Sequence, residues 1–264
     1  MALANRPMTL MDRIDEKAEG HRMTRSPGTG SASTWAARLV REPVFIAAAI
    51  MTVGMSALAL AYPHLDLNVS GKFYTPGQGF PVTLDTLPLI TRSLGRIMPG
   101  IAIAAVAVLA LMRLFSRKPL AYVKDRTLLF LGLCFSVAPG LIINVLFKGY
   151  LGRPRPIATQ DFGGPLPFTP PWSWWGGCHA NCSFVSGEAS TATMLMALVF
   201  VAPPRYRMAI LIAVLIWTFI ISLNRVAFGA HYLSDVVIAC GLTLACIAIF
   251  KVLVLDRPET PPLA

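Results

Sequence analysis

The sequence predicts an all-α, polytopic membrane protein with six transmembrane helices. Three observations carry that expectation. The 264 residues are 55% hydrophobic and only 14% charged, whereas a soluble domain carries about 25% charged residues. The apolar residues gather in long blocks rather than at amphipathic spacing, and several blocks reach or approach the ~20 residues that cross a bilayer. Lys and Arg are spread unevenly over the polar segments between the blocks.

Taken in order, residues 1–42 are polar and mixed in charge, with a Ser/Pro/Gly stretch from Ser26 to Ser33. That composition predicts a flexible cytoplasmic tail. No apolar core follows Met1 closely, so a cleavable signal is not expected and the first span should act as an uncleaved anchor. Spans are expected at 43–62, 98–115, 127–147, 187–202, 208–224 and 233–255. Together they make a membrane domain over 43–255, with a short cytoplasmic tail at 256–264. The fourth span is short and opens on polar residues. The loop from Gly149 to Val185 holds Pro165, Pro167, Pro170 and Pro171, then Trp172, Trp174 and Trp175. Tryptophans favour the membrane–water interface, so anchoring is their expected role, and a lip guiding a lipid headgroup is the sharper one.

The formal charge is +10. Basic residues at the cytoplasmic ends of spans account for it, and no basic stripe interleaved with aromatics points to nucleic acid. Sixteen Lys and Arg fall in the N-terminal tail, 113–126, 203–207 and the C-terminal end, against seven in the alternate loops. The positive-inside rule then puts both termini in the cytoplasm. Lys148, Arg155, Arg225 and His231 face the opposite side. Of the five cysteines, Cys134, Cys240 and Cys246 lie in apolar blocks and are expected to act as small hydrophobes. Cys178 and Cys182 share a Gly/Trp-rich loop. In an oxidising compartment they are expected to pair, with two free thiols as the alternative. No histidines flank them at zinc-ligand spacing, so no metal site is expected.

Three segments at the outer ends of spans carry candidate chemistry. His231 and Asp235 are four apart, which on a helix places them one turn apart on one face. A carboxylate there can fix the imidazole tautomer and leave the other nitrogen as nucleophile or base. The bland alternative is an interfacial hydrogen bond. Ser186 suits an N-cap and Gly187 a close backbone approach, and a helix N-terminus so opened suits phosphate. An ordinary cap explains them equally well. Lys148 ends the third span, and two prolines stiffen the chain presenting Arg153 and Arg155. Arginine can hold phosphate oxygens in a fork; interfacial snorkelling is the alternative.

Together these segments match Lys-x6-Arg-Pro (Lys148, Arg155, Pro156), part of Ser-Gly-His (Ser186, Gly187) and Arg-x5-His-x3-Asp (Arg225, His231, Asp235). The chain thus resembles the type 2 phosphatidic acid phosphatase (PAP2) superfamily, whose helical core and phosphate site are shared with vanadium haloperoxidases. The resemblance implies a metal-independent phosphoric ester hydrolase with no cofactor. His231 would attack phosphorus and form a phosphohistidine, Asp235 would orient it, and Lys148, Arg155, Arg225, Ser186 and Gly187 would bind phosphate oxygens. Two residues depart from the pattern. Asn224 stands for the usual Ser. Glu188 stands for the second His, the usual acid for the leaving group. Glu188 as acid, His179 as substitute, or a leaving group needing little protonation are all open. The Ser-Phe-Val-Ser-Gly-Glu wording near Cys178 and Cys182 resembles a bacterial subgroup that includes lipid A phosphatases. The expected protein therefore sits in a bacterial inner membrane with a periplasmic site and an anionic phospholipid or lipid A-type substrate. Hydrolysis of phosphatidylglycerophosphate, phosphatidate or isoprenyl diphosphate, phosphotransfer, and a non-catalytic lipid-binding carrier are the alternatives.

Overall fold

Every long apolar block in the chain forms a helix, because a backbone in hydrocarbon must satisfy its polar groups within its own segment. The computed structural model describes residues 30–115, 124–147 and 150–257. The chain divides after Arg38. Most of the first unit lies outside the described residues, but α1, Gly30–Leu39, is helical. The Ala, Arg and Leu content of α1, at the end of residues 1–42, favours a helix.

The second unit contains α2 (Pro43–Ala61), α3 (His64–Gly71), α4 (Thr86–Phe115), α5 (Asp125–Phe147), α6 (Gly187–Val201), α7 (Pro204–Ala227) and α8 (Leu233–Leu255). Five of these, α2, α4, α5, α7 and α8, are long and apolar enough to cross a membrane. The second expected span starts earlier than its apolar block, at Thr86 rather than 98. Its added turns carry Arg92 and Arg96.

The fourth expected span is shorter than the other five. At 1.5 Å per residue, α6 is only about 22 Å long, short of the ~30 Å hydrocarbon core. It is interrupted between Met194 and Ala197. It also lies inside the bundle, packed on α8 and α7. Its buried polar groups are matched to neighbours: Ser190 Oγ and Thr243 Oγ1 lie 2.8 Å apart, and Thr193 donates to Cys240 Sγ and to Ala189 O. Ser and Thr hydroxyls bond across helices in this way where helices pack together.

Close backbone contacts fix the neighbouring helices. A Cβ on Gly241 of α8 would lie 2.3 Å from Thr52 Oγ1, so only glycine lets α2 approach there. A Cβ on Gly95 of α4 would lie 2.8 Å from Ile221 Cδ1 of α7. Asn224 adds a bond from its Nδ2 to Pro88 O at 3.0 Å. The residue that departs from the family pattern thus pins α4 to α7.

The Trp-rich loop splits in role. Trp172 packs edge-on against Phe184 and Phe147 and donates from Nε1 to Ser56 Oγ at 2.9 Å. Trp174 and Trp175 are 65% and 95% exposed, as interface anchors would be.

Candidate functional site: an anion pocket at one end of the bundle

His231 lies in the turn between α7 and α8. Gly229 makes that turn possible: its φ is +60°, and a Cβ there would stand 2.4 Å from the Phe80 ring. The turn folds back so that the amides of Ala230 and His231 both donate to Arg225 O, at 3.2 and 3.3 Å. His231 is therefore held beneath the last turn of α7, where Arg225 sits.

The route to the His–Asp pairing differs from the one the spacing predicts. Helix α8 starts at Leu233 with Tyr232 as its N-cap, so His231 precedes the helix rather than lying on its face. Its Nδ1 is 3.8 Å from Asp235 Oδ2 but 2.7 Å from the backbone carbonyl of Ser183. A carbonyl can only accept, so Nδ1 carries the proton and the lone pair falls on Nε2. The tautomer expected from Asp235 is thus set by Ser183.

The reason is that Asp235 is fully engaged elsewhere. One oxygen accepts from Arg153. The other accepts from Ser183 Oγ and, at 2.8 Å, from the Tyr232 amide, closing the capping box of α8. Asp235 positions His231 from one residue away, by holding Ser183. Burial pushes the imidazole pKa down from its usual value to about 4; the nearby Arg225 and Arg155 add to this and Asp235 opposes it.

Arg153, singled out in the sequence beside Arg155, takes a structural position. Its side chain is wholly buried. It donates to Thr169 O at 2.9 Å, Ser234 Oγ at 2.8 Å, Asp66 Oδ2 at 2.8 Å and Asp235, and its guanidinium lies 4.2 Å from the centre of the Tyr232 ring. Asp66, on α3, also accepts from the Ser234 amide at 2.9 Å. Two carboxylates and one guanidinium thereby lock the start of α8 to α3 and to the loop before α6. Charges so buried persist only when paired and hydrogen-bonded.

Arg155 and Arg225 are placed differently. Arg155 donates to Asn181 O and Oδ1, at 2.8 and 2.6 Å. Asn181, at φ 53°, lies inside the loop closed by a disulfide between Cys178 and Cys182, whose Cα atoms are 5.7 Å apart. His179 is exposed in the same loop. Burial lowers the Arg155 pKa, Glu188 raises it, and Arg92 lowers it further. The Arg225 side chain is only 3% exposed, with Nε 3.2 Å from Glu188 Oε2. That contact is poorly aligned: Arg225 Nε and Nη1 are buried without a hydrogen-bond partner. Unsatisfied donors on a buried cation are costly, and an oxyanion has the acceptors such donors need.

Ser186 caps α6, its side chain accepting from Ala189 N at 3.3 Å, and its own amide donates to Asp235 O at 3.3 Å. Ser186 and Gly187 are buried at this helix start, with Glu188 in its first turn. Glu188 reaches Arg225 on one side and Arg96 on the other, at 3.4 Å. The structure therefore gathers His231, Asp235, Arg155, Arg225, Ser186, Gly187 and Glu188. Lys148 lies outside the described residues. Sequence reasoning missed Ser183, Asn181, Asp66, Arg92 and Arg96. For the last two a signal existed: two arginines one helical turn apart on the side where cations are scarce.

Comparison with known proteins bears on the family of the chain. The family model described as the PAP2 superfamily matches residues 129–259. A lipid A 4'-phosphatase of Rhizobium leguminosarum is 45% identical over 102 residues, covering 39% of this chain and 44% of that protein. The chain thus matches less than half the length of that relative. A lipid A 4'-phosphatase of Francisella tularensis subsp. novicida is 32% identical over 186 residues, 69% of this chain and 82% of that protein. A lipid A 1-phosphatase of Rhizobium etli is 32% identical over 172 residues, 60% and 68% respectively. No solved structure matches the chain. The family match over the helices that build the pocket, and the likeness along most of the Francisella protein, show that this chain belongs to the PAP2 superfamily.

Proposed function

We propose that the protein is a membrane phosphatase that removes phosphate from a lipid A-type lipid at the periplasmic face of a bacterial inner membrane. The observation that carries the chemistry is the pairing of a neutral His231, with its lone pair on Nε2, and the buried, unsatisfied donors of Arg225. A nucleophile beside empty anion-binding donors suits in-line attack on a phosphate ester. The names of the relatives, both 4'- and 1-phosphatases of lipid A, support the substrate class.

In the proposed reaction Nε2 attacks phosphorus and the P–O ester bond breaks. The leaving alkoxide takes a proton, and a phosphohistidine forms at His231. Water then attacks that phosphorus, releases inorganic phosphate and restores the imidazole. Arg155, Arg225, Lys148 and the Gly187 amide hold the equatorial oxygens, while Ser186, whose own amide is taken by Asp235 O, caps the helix that presents Gly187. Asp235 steadies His231 through Ser183. Glu188, reaching Arg225 and Arg96 as a carboxylate from the start of α6, is the proposed base that takes a proton from the attacking water, and the leaving alkoxide takes its proton from solvent. No step calls on a metal ion. Purified full-length chain in detergent should release phosphate from lipid A with a chelator present. His231→Ala should lower that rate at least a thousandfold, on the order of what losing a covalent nucleophile costs. Activity surviving in His231→Ala would overturn the assignment.

A further inference from the structure

The outer end of α4 brings two more arginines to the pocket than phosphate binding requires. Gly95 is where α4 and α7 touch, with its missing Cβ filled by Ile221. Arg92 and Arg96 flank that glycine, and Ile221 is one turn before Arg225. The Asn224–Pro88 bond fixes the same contact from its other end. Arg92 and Arg225 consequently approach the same ring, their guanidinium carbons 5.5 and 5.7 Å from the centre of Phe228. Arg92 and Arg96 both lie close enough to act electrostatically on Arg155 and Arg225.

Four guanidinium groups are thus brought together, and Glu188 is the carboxylate that reaches between them. It engages Arg96 and Arg225 at 3.4 and 3.2 Å. The Nε of Arg92 is buried without a partner, as are Nε and Nη1 of Arg225. Arg96 keeps spare donors, because its side chain is 58% exposed. Like charges so packed repel, and one phosphate held by Arg155 and Arg225 leaves Arg92 and the spare donors of Arg96 uncompensated.

We propose that Arg92 and Arg96 form a second anion subsite, contiguous with the phosphate pocket, for another oxyanionic group carried beside the scissile phosphate on the same headgroup. Glu188 lies between the two subsites and separates the groups they take. The inference rests on the phosphate-pocket reading above and adds a substrate class: headgroups with two neighbouring anionic groups rather than an isolated phosphate monoester.

The test is a binding comparison that needs no turnover. Affinities of the full chain in detergent are measured for inorganic phosphate and for methylenediphosphonate, a non-hydrolysable pair of linked phosphonates. The native chain should prefer the diphosphonate by about tenfold or more, the effect of added charge-assisted bonds. Arg92→Gln and Arg96→Gln should each reduce that ratio, and together bring it close to one. Arg96→Lys, which keeps the charge, should retain part of it. Equal affinity in the native chain, or a preference that survives the double substitution, would overturn the proposal. Binding with the predicted preference but no phosphate release from lipid A would instead sink the phosphatase reading alone.

Discussion

At the residue scale, the decisive feature is which hydrogen bond His231 makes. Because Nδ1–H is committed to Ser183 O, Nε2 is basic and available, and burial keeps the ring unprotonated down to about pH 4. An unfolded histidine titrates near 6.5. Between those values the unfolded chain takes up a proton that the folded chain refuses. The folded pKa is depressed, so stability is fullest above pH 6.5 and is lost as pH falls toward 4. The melting temperature in detergent should therefore drop between pH 7 and pH 5, and His231→Gln should flatten that drop. In kcat/KM, which reports the free enzyme, His231 should contribute no acid limb near pH 6.5. A limb centred there that vanishes when His231 is replaced would contradict the geometry. The spacing of Arg225, His231 and Asp235 singled this residue out in the sequence. Its bonding was not, because Ser183 lies 48 positions away in the chain and only the fold brings its carbonyl there.

At the element scale, the site is made by helix ends. Helix α7 ends at Ala227 under Arg225, α8 begins two residues after His231, and α6 starts at Gly187 with buried amides. Gly229 joins the first two. Gly229→Ala would place a Cβ in the Phe80 ring and impose a positive φ on a residue that resists it. Displacing His231 by about 1 Å should cost roughly a hundredfold in rate, measured as kcat on lipid A. Pairing it with Phe80→Ala should recover only part of that loss, because the backbone strain remains. Hydropathy located α2, α5, α7 and α8 closely, since lipid-facing helices must be apolar throughout. It misread the start of α4, whose first turns hold Arg92 and Arg96. It also counted as a span the segment that forms α6, an apolar helix shorter than the other five. Inside protein, Ser190 and Thr193 can find partners, and composition alone does not distinguish that setting from lipid.

For the molecule as a whole, charge placement and site placement agree. The positive-inside count leaves seven basic residues for the outer side, and five of them, Arg92, Arg96, Arg153, Arg155 and Arg225, belong to the pocket or its support. Arg153 clamps two carboxylates, and the other four are the arginines proposed to bind anions. If that side is periplasmic, Trp175→Cys should react with a membrane-impermeant maleimide in intact spheroplasts. Asp125→Cys, at the other end of the bundle beside Arg113, should react only after lysis. The reverse pattern would put the pocket in the cytoplasm. The Ser183–Glu188 wording and the names of the relatives support the proposed lipid, while the proposed α4 subsite adds a requirement that no single motif displayed.

The central claim is that His231 itself takes the phosphoryl group. Acid-labile phosphohistidine is best sought by mixing the full chain with lipid A, quenching within milliseconds in base, digesting, and mapping the phosphorylated peptide by mass spectrometry. The account predicts a phosphoryl group on His231, present in Glu188→Gln as well, and absent from His231→Ala. A native chain that turns over lipid A while the label falls on another residue, or while His231→Ala still acquires it, would contradict the account.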